Sequence, residues 1–378
     1  MKITAIHTRV MGVPGRNWIF VFVETDAGIT GIGEATTEYQ EQAVVAAIEQ
    51  HFAPLLVGKD PREIERLWQM MYRLYWWRQG VVMTSAMSGI DQALWDIAGK
   101  AYGQPVYRLL GGPCRDRVRL YARGDLGLPT MASEAEAAIK EGFTAFKWGY
   151  GPTGRPFDEA ENIRTAHATA QSIVAAMGDQ PLDLMIDCAG LFSLNGAIQM
   201  IRGLQGYPIL FVEEPVGIDN FNEIERLHQA GLGINLALGE RLCTRWAFRE
   251  LLERCAVDVI QPDICHAGGI SELRKIGTMA EVYGVRIAPH NPYGPVALAA
   301  AVHVAAAMSN FLILEYCRFS PLFFAVQKQG ISVVNGYAEL PTAPGLGVEL
   351  KMELIEQHPY SPLSIRSYFA ADGAIPLI

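Results

Sequence analysis

Seven ionisable residues, Lys147, Asp187, Glu213, Glu240, Asp263, His290 and Glu315, each close a short apolar run of strand character. From Asp187 onward they recur about every 25 residues, which is one β/α unit per step. Any one of the acids could simply cap the next helix. Together they are harder to explain that way, because carboxylates on adjacent strands repel unless a cation sits among them. Asp187, Glu213 and Glu240 are contiguous, and oxygen ligands that leave open positions suit Mg²⁺. Asp263 and His290 follow prolines on neighbouring strands, so a carboxylate should meet one imidazole nitrogen and leave the other as a general base; the alternative is a rim ion pair. Lys147 ends a buried strand and needs an anion, which a substrate carboxylate or a metal ligand would supply, and Glu315 could hydrogen-bond that same carboxylate. His266, three residues past Asp263, also falls near the rim, as a substrate contact or as a structural residue. The chemistry implied is removal of a proton next to a carboxylate.

The elements needed to position these groups are legible. Trp18 to Glu24 and Ile29 to Glu34 read as strands joined by a hairpin at Thr25-Asp26-Ala27-Gly28. Helical patterning follows, with Asp60-Pro61-Arg62-Glu63 opening one helix and Ser88 to Lys100 forming another. From Arg117 short apolar strands alternate with helices, and eight can be drawn: 118–123, 144–148, 182–187, 209–213, 234–240, 257–263, 285–290 and 311–315. Eight such units predict an α/β fold, a modified (β/α)8 TIM-type barrel at 117–320, with an α+β capping domain at 1–116 and a C-terminal segment, 321–378, that returns to the cap. Gly111-Gly112 and Gly268-Gly269 are isolated pairs rather than phosphate loops.

Of the 378 residues half are hydrophobic, enough for a large core, and the net charge of -9 with no dense basic run argues against a nucleic-acid partner. The six cysteines contain no CxxC pair, which suits free thiols in a reducing cytoplasm and disfavours zinc. The start, Met-Lys-Ile-Thr-Ala-Ile-His, lacks an apolar signal region, and Pro295 to Cys317 reads as a buried helix and strand, so no membrane association is expected.

The chain resembles the enolase superfamily, mandelate racemase subgroup, over nearly its whole length. The likeness rests on Ser88-Gly-Ile-Asp-Gln-Ala-Leu-Trp-Asp-Ile-Ala-Gly-Lys100, Gln104-Pro-Val-Tyr-Arg-Leu-Leu-Gly-Gly112, Phe211-Val-Glu-Glu-Pro215, Gly239-Glu-Arg241, Gln261-Pro-Asp263, His266-Ala-Gly-Gly269 and Ala288-Pro-His290. Met1-Lys-Ile-Thr and Pro344-Gly-Leu-Gly-Val-Glu349 are most similar to its galactonate-dehydratase-like acid-sugar dehydratases. The resemblance implies Mg²⁺ on Asp187, Glu213 and Glu240, His290 as base with Asp263, Lys147 and Glu315 on the substrate carboxylate, and a symmetric homo-oligomer. Two positions depart from the pattern. Ala189 stands where those dehydratases carry an acid histidine, and Gly149 where the racemases carry a second lysine. What remains is a one-base site, suited to eliminating water from a polyhydroxylated acid to a 2-keto-3-deoxy acid, with His290 returning the proton to the leaving hydroxyl on the same face. An epimerase or cycloisomerase, or an impaired metal-binding member of the family, are the other readings. Tyr150 is a candidate substitute acid, and Arg16, Trp18, Trp76, Trp77 and Arg78 either line the closure over the site or form a subunit interface.

Overall fold

The computed structural model describes residues 1–125, 127–149, 157–317, 321–364 and 372–374. Strands β1 (Ile3–Val13), β2 (Arg16–Thr25) and β3 (Thr30–Glu34) form an antiparallel meander. The middle strand is buried along nearly its whole length because both faces are covered. Ile19, Val21 and Val23 face a helical core containing Phe52, Trp68, Ile90 and Leu94, while Trp18, Phe20 and Phe22 alternate onto the core that runs into the barrel. The long helix Val81–Tyr102 lies so close to the sheet that a Cβ on Gly33 would sit 1.9 Å from the Gly89 carbonyl oxygen. Only glycine permits that approach.

The barrel comprises β4 (Arg117–Arg123), β5 (Ala145–Gly149), β6 (Asp183–Asp187), β7 (Ile209–Glu213), β8 (Leu236–Leu238), β9 (Val259–Ile260), β10 (Arg286–Ile287) and β11 (Leu314–Tyr316). They pair in parallel in chain order, β11 pairs with β4, and an Ile287–Phe311 bridge closes the ring. Tyr121, Ala145, Met185, Phe211, Ala237, Val259, Ala288 and Ile313 pack as one cluster inside it. In a pleated strand the residue two positions on faces the same way. The ring above this floor is therefore Arg123, Lys147, Asp187, Glu213, Gly239, Gln261, His290 and Glu315. Alternation, not sequence proximity, gathers the site.

Several elements are shorter than their apolar runs suggest. Strands β8 to β10 stop early because Gly239 takes a φ of 128° and Pro262 and Pro289 have no N–H for the ladder, so Glu240, Asp263 and His290 stand just beyond the regular strands. The helix expected at Asp60 begins instead at Ile64, since Asp60 is held by the backbone and guanidinium of Arg62 in a preceding turn. The tail after residue 321 first serves the barrel: β13 (Val333–Val334) and β14 (Tyr337–Glu339), which follow the short β12 (Gln327–Gln329), form a hairpin antiparallel to the start of β4. It meets the cap later, where Gly12 donates to the His358 carbonyl and Asn17 exchanges hydrogen bonds with Ser361.

Cap and barrel are joined by buried polar contacts. Glu34 accepts from the Gly294 and Ala297 N–H groups, Asp91 from Ser271, and Trp68 Nε1 donates to the Gly268 carbonyl. Burial raises Glu34 to about 6 and Asp91 to about 7, against the hydrogen bonds that favour their charged forms. All six cysteines are free, and among the described residues no helix is long and apolar enough to cross a membrane.

His303, fully buried on the helix Pro295–Ala306, clasps the tail: Nδ1 accepts from the Tyr107 N–H at 3.1 Å and Nε2 faces the Leu346 carbonyl at 3.2 Å. These partners require the neutral Nε2–H tautomer, and burial lowers the imidazole to about 4. A folded-state value below the unfolded one of about 6.5 means the unfolded chain takes up the proton first, so this stability is present above pH 6.5 and lost as pH falls towards 4. The loss should reach about 3 kcal/mol. In H303N that share of the acid dependence should vanish from denaturation midpoints measured across the window; an unchanged slope would assign the acid sensitivity elsewhere.

Candidate active site

A cavity of about 550 Å³ opens where the strand ends meet the cap. Asp187, Glu240, His290 and Arg123 line it from the barrel side, and Arg16, Glu38, Tyr39 and Val81 from the cap side. Asp263, Lys147, Glu213 and Glu315 are at or near zero exposure, tucked behind those rim groups.

His290 Nδ1 stands 2.5 Å from Asp263 Oδ2, and Nε2 lies 3.3 Å from Glu240 Oε2 and 3.8 Å from Glu315 Oε2. Asp263 is itself fixed by the Cys265 N–H at 2.6 Å. A carboxylate on Nδ1 sets the tautomer and leaves Nε2 facing the reacting space. Burial alone would depress the imidazole, but Glu240, Glu315 and Asp263 outweigh it and hold it up at about 10.

Lys147 donates to Glu213 Oε2 at 2.7 Å and lies 3.1 Å from Glu315 Oε1, with its Nζ 5.2 Å from the Tyr121 ring centroid. Burial opposes its charge, and the two carboxylates override that, so its pKa is raised. Glu315 accepts from the Asn291 N–H and is held low despite burial by Lys147, His290 and Arg123. Glu213 goes the other way: burial pushes it up to about 8, Lys147 pulls it down, and Asp187, Glu240 and Glu315 push it up again. Glu240 is raised chiefly by burial.

The carboxylates as they stand do not form a ligand cluster: among the described residues no group of three His, Cys, Asp or Glu is arranged to hold a metal ion. Lys147 draws Glu213 and His290 stands against Glu240, so cationic side chains take up their oxygens. The donor set nevertheless suits a hard divalent cation. Glu213 Oε1 is a buried oxygen with no hydrogen-bond partner, and Glu213 is raised first by burial and then by Asp187 and Glu240 beside it, negative charge that a cation would offset.

His266 does line the cavity, and so does Arg16, which donates to the Pro292 carbonyl and pairs with Glu38 at 3.4 Å. Trp76 does not: it and Trp77 are 85% and 87% exposed and line no part of the cavity, while Trp18 is buried in the core. The chain leaves the helix at Arg73 and points both indoles into solvent. Arg78 stacks its guanidinium on Tyr72 instead of entering the cavity. Tyr150 lies outside the described residues.

The two missing groups have structural counterparts. A Cβ at Gly149 would sit 3.2 Å from Asp187 Cβ, so a side chain there would require Asp187 to give by a few tenths of an ångström. Ala189 has a φ of 51°, held by Asp187 Oδ1 accepting from its N–H. Sequence reading overlooked Arg123, Arg241 and Tyr293, all of which line the cavity. Arg123 closes the first barrel strand as the other ring members close theirs, which was the available signal, whereas Arg241, paired with Glu214 at 2.6 Å, and Tyr293 sit on loops and carried none.

Residues 1–111 match the mandelate racemase / muconate lactonizing enzyme N-terminal domain, and residues 130–354 match the enolase C-terminal domain-like family. The chain is 37% identical to the D-galactonate dehydratase of Variovorax paradoxus and 38% identical to that of Ralstonia nicotianae, in each case over 99% of both proteins. Among solved structures it resembles an enolase from Agrobacterium radiobacter bound to sodium and L-malate, with TM-score 0.91, 33% identity and full coverage of both chains. An enolase from Pantoea ananatis with bound D-gluconate and magnesium gives TM-score 0.90 and 29% identity over 99% of each. With both halves matched in order, the chain belongs to the mandelate racemase and muconate lactonizing enzyme family of the enolase superfamily.

Proposed function

We propose that this protein is a Mg²⁺-dependent acid-sugar dehydratase that takes the proton α to a carboxylate with His290 and eliminates water, giving a 2-keto-3-deoxy acid. The observation that carries the reading is the His290–Asp263 dyad at 2.5 Å facing a cavity behind whose rim Lys147 is buried between two carboxylates. The names of the full-length relatives support the reaction class, and the gluconate and malate in the neighbouring structures support a hydroxy-acid ligand.

Asp187, Glu213 and Glu240 would hold the ion. When bound, it supplies a Lewis acid for the substrate carboxylate and neutralises the acidic cluster. Lys147 then orients that carboxylate and offsets the charge that builds on it as the α-proton leaves, while ionised Glu315 holds the ammonium in place. A cation held by Glu240 would weaken that carboxylate's hold on His290, whose Nε2 faces the reacting space as the base. The cap side of the cavity, with Arg16 and Glu38, meets the polyol end of the substrate.

The test is incubation with D-galactonate, D-gluconate and other mono- and diacid sugars in Mg²⁺, assayed for 2-keto-3-deoxy product. Turnover of at least one acid, abolished by a chelator and restored by Mg²⁺, is expected. Absence of product from every acid would overturn the proposal, and deuterium entering the α-position without loss of water would replace it with epimerisation.

A further inference from the structure

With alanine at 189 and glycine at 149, elimination still requires a proton for the departing hydroxyl. A chain of three side chains reaches the cavity beside the base. Ser85 Oγ lies 2.7 Å from His266 Nδ1, and His266 Nε2 lies 2.7 Å from the Tyr293 hydroxyl. Ser85 comes from the long cap helix, His266 from the loop after β9 and Tyr293 from the loop after β10, three residues past His290. The Tyr293 ring stands edge-on to His290 with centroids 5.9 Å apart, and Tyr293 and His266 both line the cavity. The polar cluster has no role in binding the proposed ion or in setting the base.

We infer that Tyr293 is the general acid of the elimination, with His266 and Ser85 as positioning residues that orient its hydroxyl. This rests on the dehydratase reading above. Ser85 O–H donates to Nδ1, which fixes the proton on Nε2, and Nε2–H donates to the phenolic oxygen; the phenolic O–H is then directed to the cavity its ring lines. Burial favours the neutral form of His266, as this donor-acceptor pattern requires. In the reaction His290 takes the α-proton, the electron pair of that C–H bond forms the new C–C double bond, and the β C–O bond breaks with its pair on oxygen. Tyr293 delivers its proton to that oxygen, which leaves as water. The enol then ketonises: imidazolium His290 gives a proton to the β-carbon, and the enol O–H proton returns to the Tyr293 phenolate. Base and acid stand side by side, so both bonds break on one face of the substrate.

Parent and Y293F proteins are compared in D₂O with Mg²⁺ and D-galactonate, D-gluconate and galactarate, and with 3-deoxy-3-fluoro-D-galactonate, whose fluoride leaves with less need of a proton. Water elimination should fall about 100-fold or more in Y293F. Deuterium exchange at the α-carbon and fluoride release should stay within about fivefold of the parent, because the base is intact. His266→Gln should lower water elimination more than exchange, a split that simple loss of packing does not produce. Dehydration by Y293F within threefold of the parent, or equal loss of exchange, fluoride release and dehydration, overturns the assignment. If the parent protein neither exchanges nor dehydrates any of these acids, the dehydratase reading itself falls, which is a different result from a defect confined to Y293F.

Discussion

H290N should lose acid-sugar dehydration by about 10²–10⁴-fold, the usual contribution of a positioned general base. Asparagine is similar in size to the first part of the imidazole and can keep a hydrogen bond to Asp263, so the rim should hold its shape. What it lacks is a basic atom where Nε2 stands, 3.3 Å from Glu240. Two controls separate chemistry from structure. Mg²⁺ should bind no more weakly than in the parent, because His290 is not among the proposed ligands and its loss frees Glu240. Exchange of the α-proton with solvent, followed by NMR, should vanish together with dehydration, unlike in Y293F, where exchange persists. D263N tests the other half of the dyad: it leaves the ring in place but no longer fixes its tautomer, so it too should lose rate. Parental exchange in H290N would show that another group removes the proton.

These assignments were unevenly visible in the sequence. Barrel strands leave a strong trace because each is an apolar run of fixed period that ends where the chain turns. Asp187, Glu213 and Glu315 can therefore be placed in the ring from spacing alone, and the structure puts the first two at strand ends and Glu315 in the middle of the three-residue β11. Glu240, Asp263 and His290 were found the same way even though the ladder stops before them, since Gly239, Pro262 and Pro289 end the hydrogen bonding without turning the chain aside. Loop residues leave no such trace. Tyr293 meets His266 only because two loops after neighbouring strands converge, and Ser85 joins them from a helix nearly 200 residues away. Trp76 and Trp77 are ambiguous for the same reason. An aromatic pair in a loop reads equally well as cavity wall or as subunit interface, and tertiary placement outside the cavity removes the first. Arg123 is different: it ends the first barrel strand, but as a lone cation outside the run of regularly spaced acids its type carries no metal or base signal.

K147M should be among the most destabilising substitutions in the barrel. The ammonium is 1% exposed and holds two carboxylates at zero exposure, Glu213 at 2.7 Å and Glu315 at 3.1 Å. Methionine fills nearly the same volume, so packing is kept and the change is chiefly electrostatic. Breaking a buried ion pair by removing one partner costs about 3–5 kcal/mol, because the remaining charge is neither solvated nor matched. Protonation limits that cost, which gives the prediction its sign. Glu213 is already pushed up to about 8, above its unfolded value, so whatever stability its neutral form retains is lost as pH rises through that region. Removing Lys147 raises Glu213 further and releases Glu315 from its low value. The deficit of K147M should therefore be smaller near about pH 6, where the carboxyls can accept protons, and larger near about pH 8.5. Denaturation midpoints for parent and variant, taken at both pH values with a chelator present, read this directly. Adding Mg²⁺ should then narrow the gap, since an ion bound to Asp187, Glu213 and Glu240 replaces part of the lost positive charge and stabilises the folded state that binds it. Equal midpoints for parent and variant at both pH values would mean that these carboxylates need no cation to stay buried, and the argument for an ion among them would fail with it.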